Sequence, residues 1–421
     1  MSSLSGRRIV LGVTGSVAAY KAADLASRLT QQGALVDTVL TAAATRFVAP
    51  LTFRAVTGRP AYTDLWGEEA HVLHVGLGRG ADLLVVAPAT ADVLAKLAHG
   101  LADDLLTVTA LAAHGPLVLC PAMDAGMWEH PSTRANAETL RTRGALFIGP
   151  AEGRMASGLA GPGRLAEPEE IVDRLRTILG SNGPLAGKTV VVTAGPTQEP
   201  IDPVRFVGNR SSGRQGFAIA RAALDRGARV VLVAGPTGLR TPAGAERLDV
   251  ASAAEMHAAV LLAASKADVL VMAAAVADFT PESPADEKVK KGTRERLTLK
   301  LAATPDILAA VSGRRRKTKR PRVLVGFAAE TGDPAPEARR KLGAKGLDLV
   351  VANDVTAPGA GFEGATNRVV LIGAAGSEER LPLMSKDDVA GAVMNHVVRL
   401  LGAKPPPRRD DTDPSGVGAP N

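Results

Sequence analysis

The chain has 421 residues, of which 46% are hydrophobic and 22% charged, with one cysteine and a formal net charge of +7. This composition is globular, its apolar runs are too short to span a bilayer, and a single cysteine excludes internal disulfides and multi-cysteine metal sites. The length exceeds what one hydrophobic core normally supports, so we expect two domains of roughly 150 to 200 residues in a reducing, cytoplasmic setting.

Short β-branched apolar runs alternate with stretches of helical period, the pattern of βαβ units in a mainly parallel sheet. The first run follows Arg7 and Arg8 and turns at once into a glycine turn, which favours a strand over a signal peptide. The predicted strands are 9–13, 35–40, 83–87, 117–120 and 145–148 in the first half, and 189–193, 229–233, 269–272, 323–327 and 347–352 in the second.

The breaker cluster GSNGP at 180–184 separates these two sets of strands. We therefore predict two doubly wound α/β domains, 1–181 and 187–402, joined by a linker at 182–186. The stretch 403–421 has much proline and charge and no apolar period, so we predict a disordered tail there.

Small and hydroxyl-bearing residues follow four predicted strands of the first half. They would lie at the carboxyl ends of these strands, and open α/β sheets bind ligands at that edge. Gly15 and Ser16 follow the first strand, and such a turn can bind a phosphate at a helix N-terminus, although the same residues are ordinary turn and cap chemistry. Cys120, in the fourth strand, we interpret as a small buried hydrophobe. The other residues of this edge are Thr41, Pro88, Ala89, Thr90, Ala91 and Met123.

The segments GVTGSVAAYK, HVGL, APATAD and PAM with Met127, in this order, resemble the flavin-containing cysteine decarboxylases over about residues 7–175. The resemblance implies a flavodoxin-like fold that binds flavin mononucleotide (FMN) with the residues of the strand edge. It implies that oxidation of the substrate's thiol end to a thioaldehyde lets carbon dioxide leave. His74 matches the family's active-site base, and imidazole suits removal of a thiol proton near neutral pH.

Two positions depart from the commonest pattern of that family. Asp124 follows PAM where the family has asparagine, and Ala156-Ser157-Gly158-Leu159 stands where a flap usually reads ACGD. By the resemblance, the asparagine recognises the substrate carboxylate, which Asp124 would repel unless it is protonated or paired. The cysteine protonates the enethiolate, for which the Ser157 hydroxyl is a weak acid. Two readings stay open: a decarboxylase that takes its proton from water or another group, and a slow or inactive flavin-binding scaffold.

The second half contains a dense motif, TAGPTQEPIDPVRFVGNRSSGRQG at 193–216, and no Walker lysine motif. With AAAVADF at 273–279, EKVKK at 287–291, PDIL at 305–308 and GFAAET at 326–331, it resembles phosphopantothenate–cysteine ligases of the bacterial, CTP-using type. The resemblance implies a Rossmann-like domain in which the phosphopantothenate carboxylate attacks CTP to give an acyl-cytidylate and pyrophosphate. Cysteine's amine then displaces CMP.

In that resemblance Asn209 matches the residue needed with the acyl intermediate, and Arg205 is placed to help position it. Magnesium would be carried mainly by the CTP phosphates, so no protein ligands to the metal are assigned. Without the motif, the alternative interpretations are that Lys288 belongs to a solvated loop, that Asp278 caps a helix and that Asn209 is a turn residue. The residues that match the CTP-contacting set are Ala273, Ala274, Ala275, Asp278, Lys288, Pro305, Asp306, Ile307, Leu308, Phe327, Lys341 and Lys345.

Together the two resemblances imply a bifunctional enzyme of coenzyme A synthesis that acts on phosphopantothenate, cysteine and CTP. They imply a homo-oligomer with flavin sites completed across subunits, and no nucleic-acid or membrane partner. A nicotinamide-dependent oxidoreductase is the rival enzyme, but no complete G-x-G-x-x-G follows the first strand. A nucleic-acid-binding protein is the rival suggested by the cations at 314–320, which we interpret as a solvated loop because no aromatic residue is interleaved.

Overall fold

The computed structural model describes residues 2–66, 72–155, 157–158, 160–291, 296–354, 356 and 364–402. The chain divides between Leu179 and Gly180 into two compact units, each built on its own largely parallel sheet. The doubly wound α/β class is thereby confirmed. The tail predicted at 403–421 lies outside the described residues.

The first unit contains a six-stranded parallel sheet with helices on both faces. Its strands are β1 Arg8–Val13, β2 Leu35–Leu40, β3 Ala61–Tyr62, β4 Leu83–Ala89, β5 Leu117–Pro121 and β6 Leu146–Phe147, and a separate antiparallel hairpin is formed by β7 Ala151–Arg154 and β8 Ala160–Arg164. Its helices are α1 Ala19–Gln31, α2 Pro50–Thr57, α3 Leu73–Gly80, α4 Ala91–His99, α5 Leu105–Ala112, α6 Ala125–Glu129, α7 Pro131–Thr142 and α8 Pro168–Gly180, with a short 3₁₀ helix at Ala44–Arg46.

The strand order of this sheet is β3-β2-β1-β4-β5-β6. Within the doubly wound class this is the Rossmann order and not the flavodoxin order 2-1-3-4-5, because the crossover after β3 returns past β2 and β1 to β4. The switch point therefore lies between β1 and β4, and in open sheets ligands bind outside the carboxyl ends of the strands at that point.

Apolar clusters fill both faces of the first sheet, one under α1, α2 and α8 and the other under α3, α4, α5 and α7. Because it is covered on both sides, β4 is buried along its whole length and shows no alternation. Gly78 lets α3 pack closely on α5, since a Cβ there would lie 2.8 Å from the backbone of Ala112.

The second unit contains an eight-stranded sheet in the order β13-β12-β9-β14-β17-β18-β20-β21, parallel except for the pairings of β20 with β18 and β21. Its strands are β9 Thr189–Ala194, β10 Gln198–Pro200, β11 Phe206–Gly208, β12 Arg229–Ala234, β13 Ala245–Asp249, β14 Val269–Met272, β15 Phe279–Pro281, β16 Leu301–Ala303, β17 Val323–Glu330, β18 Leu349–Asp354, β19 Thr366–Asn367, β20 Val369–Gly373, β21 Glu378–Arg380 and β22 Met384–Ser385. Its helices are α9 Arg214–Leu224, α10 Ala253–Ala264, α11 Ile307–Thr318, α12 Ala335–Lys345 and α13 Lys386–Leu400.

Here too the sheet is buried on both faces, by α9 and α13 on one side and by α10, α11 and α12 on the other. Gly216 brings α9 against β9, because a Cβ at this position would lie 2.5 Å from the Cβ of Ala194. The two-stranded pairs β10–β11 and β15–β16 stand outside the main sheet. They carry the loops that supply much of the second site.

Every predicted strand is present, and Cys120 is fully buried in β5 as predicted, where burial raises the pKa of its thiol. The loop predicted for the cationic segment 314–320 is wrong in part: residues 314–317 form the last turn of α11, where their charges face the negative end of the helix dipole, whereas 319 and 320 follow the helix. In the described part of the chain, none of the helices combines the length and the apolar character that crossing a membrane requires.

Candidate functional site

The turns after β1 and β4 are tied together at the carboxyl edge of the first sheet. The buried Thr14 hydroxyl donates to the carbonyl of Pro88 at 2.7 Å and accepts from the N–H of Thr90 at 3.2 Å. Gly15 lies so close to the next turn that a Cβ there would be 2.5 Å from the Cβ of Ala43. The sequence indicated Thr14 as part of this turn, but Thr14 was not among the predicted flavin-binding residues.

The remaining strand ends complete this edge. The N–H of Thr41 donates to the carbonyl of Val13 at 3.0 Å, and the N–H of Ala122 donates to Ala89 at 3.1 Å. The Ser16 hydroxyl accepts from a nearby backbone N–H at 3.3 Å. The structure thus brings to the ends of β1, β2, β4 and β5 the predicted residues Gly15, Ser16, Thr41, Pro88, Ala89, Thr90, Ala91 and Met123.

The β7–β8 hairpin lies against the turn that follows β5. The N–H of Met123 donates to the carbonyl of Gly163 at 3.0 Å, and a Cβ at Gly163 would lie 2.3 Å from the Met123 carbonyl oxygen. Glycine is therefore required for this approach, which brings the hairpin tip to α6. Ala156 and Leu159 of the tip lie outside the described residues, whereas Ser157 is described.

Asp124 and Ser157, the two departures from the family pattern, are hydrogen-bonded to each other. Asp124 caps α6, its Oδ1 accepting from the N–H of Gly126 at 3.1 Å, while its Oδ2 accepts from the Ser157 hydroxyl at 2.5 Å. The Ser157 hydrogen bond and the Gly126 amide hold the pKa of Asp124 below its ordinary value. The carboxylate is therefore ionised near neutral pH, and the serine proton is directed at it.

His74 lies in the first turn of α3, the helix that connects β3 to β4 and so begins at the carboxyl edge of the sheet. Its Nδ1 is buried and has no hydrogen-bond partner among the described residues. A buried nitrogen without a partner carries a desolvation cost that a bound molecule can relieve. The small residues of the strand ends and this nitrogen lie at one edge of the sheet, an arrangement that fits a flavin and its substrate.

In the second unit the turns after β9 and β14 pair with each other. The N–H of Ala275 donates to the carbonyl of Gly195 at 2.9 Å, and that of Thr197 donates to Ala275 at 3.2 Å. The Asn209 amide nitrogen donates to the carbonyls of Ala275 and Val276 at 3.3 and 3.0 Å. Asn209 therefore lies where two strand ends meet.

Hydroxyl groups fix the rest of the segment 273–278. The Thr193 hydroxyl accepts from the N–H of Ala274 at 3.0 Å, and the Thr304 hydroxyl donates to the carbonyl of Ala277 at 2.6 Å. The N–H of Thr304 donates to the Asp278 carbonyl at 2.9 Å, which joins the Pro305–Leu308 turn to this segment. Neither threonine was singled out from the sequence.

Two lysines of α12 lie over the ends of β17 and α11. The Lys341 ammonium donates to the carbonyl of Phe327 at 2.6 Å, and Lys345 forms an ion pair with Asp306. Burial lowers the pKa of Lys341, although nearby carboxylates oppose the shift. Asp306 caps α11 through the N–H of Ala309 at 2.9 Å. The predicted nucleotide residues on β17, α11 and α12 are therefore grouped.

Lys288 stands apart from this group. It is exposed, and its loop is held through the next residue, whose N–H donates to Asp202 at 3.0 Å and whose carbonyl accepts from Arg205 at 2.5 Å. Sequence reasoning left Asp202 out, since a carboxylate in a dense motif carries no sign of its partners. In the described ranges, no three His, Cys, Asp or Glu side chains are grouped as a metal site.

Two family models match the chain, "Flavoprotein" over residues 1–180 and "DNA/pantothenate metabolism flavoprotein C-terminal domain" over residues 185–401. The coenzyme A biosynthesis bifunctional protein of Bacillus subtilis is 46% identical over 402 residues, covering 94% of this chain and 98% of that protein. Its counterpart in Mycobacterium tuberculosis is 47% identical over 406 residues, covering 94% and 97%.

Among solved structures, the C-terminal domain of a coenzyme A biosynthesis bifunctional protein is 36% identical with a TM-score of 0.44, covering 52% of this chain and 98% of that one. A PPC decarboxylase mutant complexed with pantothenoylaminoethenethiol is 34% identical with a TM-score of 0.37, covering 41% and 97%. The sequence relatives span nearly the whole chain, and both family models match it in order. The chain belongs to the family of coenzyme A biosynthesis bifunctional proteins.

Proposed function

We propose that the second unit joins phosphopantothenate to cysteine with CTP, and that the first unit decarboxylates the product with FMN to give phosphopantetheine. The chain is a bifunctional enzyme of coenzyme A biosynthesis with ligase and decarboxylase activities, as its full-length relatives indicate. The same relatives favour two activities over a ligase with an inactive flavin scaffold. The nucleotide, the metal and the residues that act belong to the proposal.

The position of Asn209 is the observation that carries the ligase proposal. Its amide donates to two carbonyls of the turn after β14, which uses both N–H groups and leaves its Oδ1 to accept from the reactants. A fixed acceptor at the meeting of two strand ends can orient the acyl-cytidylate for attack by the cysteine amine. Arg205 supplies a cation for the same intermediate.

Lysines 341 and 345, with Asp278 and the Pro305–Leu308 turn, support the assignment of the nucleotide site. Attack on the α-phosphate develops negative charge on the phosphate oxygens, which preorganised cations stabilise. Lys288 adds a third cation from a different loop. Mg²⁺ would be held mainly by the CTP phosphates.

The ligase proposal predicts that CTP supports product formation and is converted to CMP and pyrophosphate. The purified protein is incubated with phosphopantothenate, cysteine and Mg²⁺ plus either CTP or ATP, and the products are analysed by mass. We expect phosphopantothenoylcysteine and phosphopantetheine with CTP. Equal product with ATP and none with CTP would overturn the assignment of the nucleotide residues.

In the first unit, FMN would be held by the residues at the strand ends, which are Gly15, Ser16, Thr41, Pro88 to Ala91 and Met123. The flavin, when bound, supplies the oxidation of the thiol end and the later return of the electrons. His74 removes the thiol proton through a ring nitrogen, and its unpaired buried Nδ1 supports a place against the ligands. Asp124 and Ser157 would take the places of the family's substrate-carboxylate and proton-donor residues.

The bond between Ser157 and Asp124 leads to a prediction about proton donation. Because the serine proton is directed at an ionised carboxylate, Ser157→Ala will lower decarboxylase turnover by less than about tenfold, the factor that 1.4 kcal/mol represents. Ser157→Cys will keep or raise turnover, because a thiol is the stronger acid. Turnover is measured with supplied phosphopantothenoylcysteine.

Ser265→Ala is the matched control, since it removes an exposed hydroxyl bonded to the Leu262 carbonyl at 2.7 Å in the other unit. We expect it to leave decarboxylation unchanged. If Ser157→Ala instead stops after carbon dioxide release and an unsaturated thiol accumulates, the serine is the acid and this account of the flavin site is wrong.

A further inference from the structure

Asp202 is a buried carboxylate in the loop between β10 and β11, with 3% of its surface exposed. Its Oδ1 accepts from the N–H groups of Val204 and Arg205, each at 2.9 Å. Its Oδ2 accepts from the Arg205 guanidinium at 3.0 and 2.5 Å and from the N–H of Val289 at 3.0 Å. Every one of these donors belongs to one of two loops, 201–205 and 282–291.

The same two loops are joined at two further points. The Arg205 guanidinium donates to the carbonyl of Val289 at 2.5 Å, and the N–H of Ala285 donates to Ile201 at 2.9 Å. Residues 282–291 form no helix or strand and are exposed except at 285 and 289. The carboxylate and its arginine are therefore the anchor of the part of this loop that carries Lys288.

The pairing also determines how Arg205 is presented. Nε and Nη2 are engaged by Asp202 and Val289, so the guanidinium plane is fixed. Among the described residues Nη1 has no acceptor, so its two N–H groups can bind an anion. A free arginine side chain loses conformational entropy when it binds an anion. The Arg205 guanidinium is already fixed, so it loses less on binding.

The charge of Asp202 persists across the working pH range. Burial opposes its ionisation, but the Arg205 guanidinium and the backbone N–H groups of Val204, Val289 and Arg205 hold the pKa of the carboxyl well below its ordinary value. A neutral side chain at this position would leave donors without an acceptor.

We propose that Asp202 is a positioning residue of the ligase, which joins the Arg205 loop to the Lys288 loop so that both cations reach the reacting phosphates in one geometry. This rests on the proposed roles of Arg205 and Lys288. Asp202 itself touches no substrate. Its loss displaces both loops together, and so it affects the use of phosphopantothenate and of CTP at once.

The test uses Asp202→Asn in the full chain, assayed by pyrophosphate release while phosphopantothenate and CTP are varied in turn. Asparagine has nearly the same size, but its NH₂ faces donors where the carboxylate accepted. We expect kcat/KM to fall about 100-fold for both substrates, with both KM values raised, because misplacement of about 1 Å at a site costs about this factor.

Asp268→Asn is the matched control. Asp268 is also a buried carboxylate paired with an arginine, Arg320 at 2.8 Å, and with a backbone N–H, that of Thr189 at 3.0 Å, but it lies at the amino edge of the sheet. Its loss should lower the melting temperature and leave both KM values unchanged. If Asp202→Asn shows this same pattern, Asp202 is merely structural and the inference is wrong.

Val289→Pro keeps the experiment decisive if Asp202→Asn fails to fold. Proline removes the N–H of residue 289 that donates to Asp202. It leaves the ion pair of Asp202 with Arg205 intact. We expect a raised KM for CTP with a smaller change for phosphopantothenate, because only the Lys288 side is released. Wild-type kinetics in this variant would disprove a coupling of the loops through the bond from the Val289 N–H to Asp202.

Arg205→Ala and Lys288→Ala separate this inference from the proposed function. If both leave ligation intact, the proposed roles of the two cations fail and the inference with them. If both impair ligation while Asp202→Asn and Val289→Pro do not, the proposed function stands and the positioning role of Asp202 alone is rejected.

Discussion

Replacing His74 with asparagine will stop decarboxylation while ligation continues, so that phosphopantothenoylcysteine accumulates. Asparagine is close in size to histidine but cannot take up a proton at neutral pH, and it removes the buried ring nitrogen that has no partner in the described part of the protein. General bases contribute about 10²- to 10⁴-fold to a rate, so we expect a loss of at least about 100-fold. Product masses from phosphopantothenate, cysteine and CTP measure both steps in one reaction.

His114→Asn serves as the control, because His114 is exposed in the loop before β5, at the opposite edge of the sheet. Both variants should retain the flavin absorption of the unmodified protein. Carbon dioxide release at the normal rate in His74→Asn would exclude His74 as the base. Loss of the flavin from this variant alone would assign it to cofactor binding instead.

The sheets could be predicted from the sequence because their strands are buried on both faces. A strand such as β4, buried along its whole length, must be apolar throughout, and its turn residues then mark the carboxyl edge. The antiparallel strands β20 and β21 were missed. β21, Glu378–Arg380, is exposed along its length and gives no apolar signal.

Contacts between distant loops could not be predicted in this way. Ser157 and Asp124 each stood out as a departure from a family pattern, but nothing in their residue types indicates that one donates to the other. The contact depends on the close approach of Gly163 to the turn after β5. Similarly, Val289, one of the partners of Asp202, lies 87 residues further along the chain.

The helix α11 shows how local composition can mislead. The cations at 314–317 were interpreted as a solvated loop because charge runs are usually exposed. They are at the surface, but the helix that starts at the Asp306 cap continues through them to Thr318. Favourable interaction of the cations with the C-terminal end of the helix stabilises this extension.

Replacing Asn209 with alanine will lower ligase turnover about 100- to 1000-fold, the cost typical of losing one preorganised polar group at a reacting centre. The substitution removes the amide that donates to Ala275 and Val276 and the oxygen left for the reactants. Pyrophosphate release and CMP release are followed separately, so that a defect in forming the acyl-cytidylate is distinguished from a defect in its reaction with cysteine.

Asn182→Ala is the control for this variant, since Asn182 is an exposed residue of the same unit that lies outside the motif. The lesion in Asn209→Ala is confined to the second unit, so its flavin spectrum and its decarboxylation of supplied phosphopantothenoylcysteine should be those of the unmodified protein. A bleached flavin would signal misfolding. Normal CMP release with an intact flavin would show that Asn209 is only a turn residue, whose amide joins two loops without acting on the intermediate.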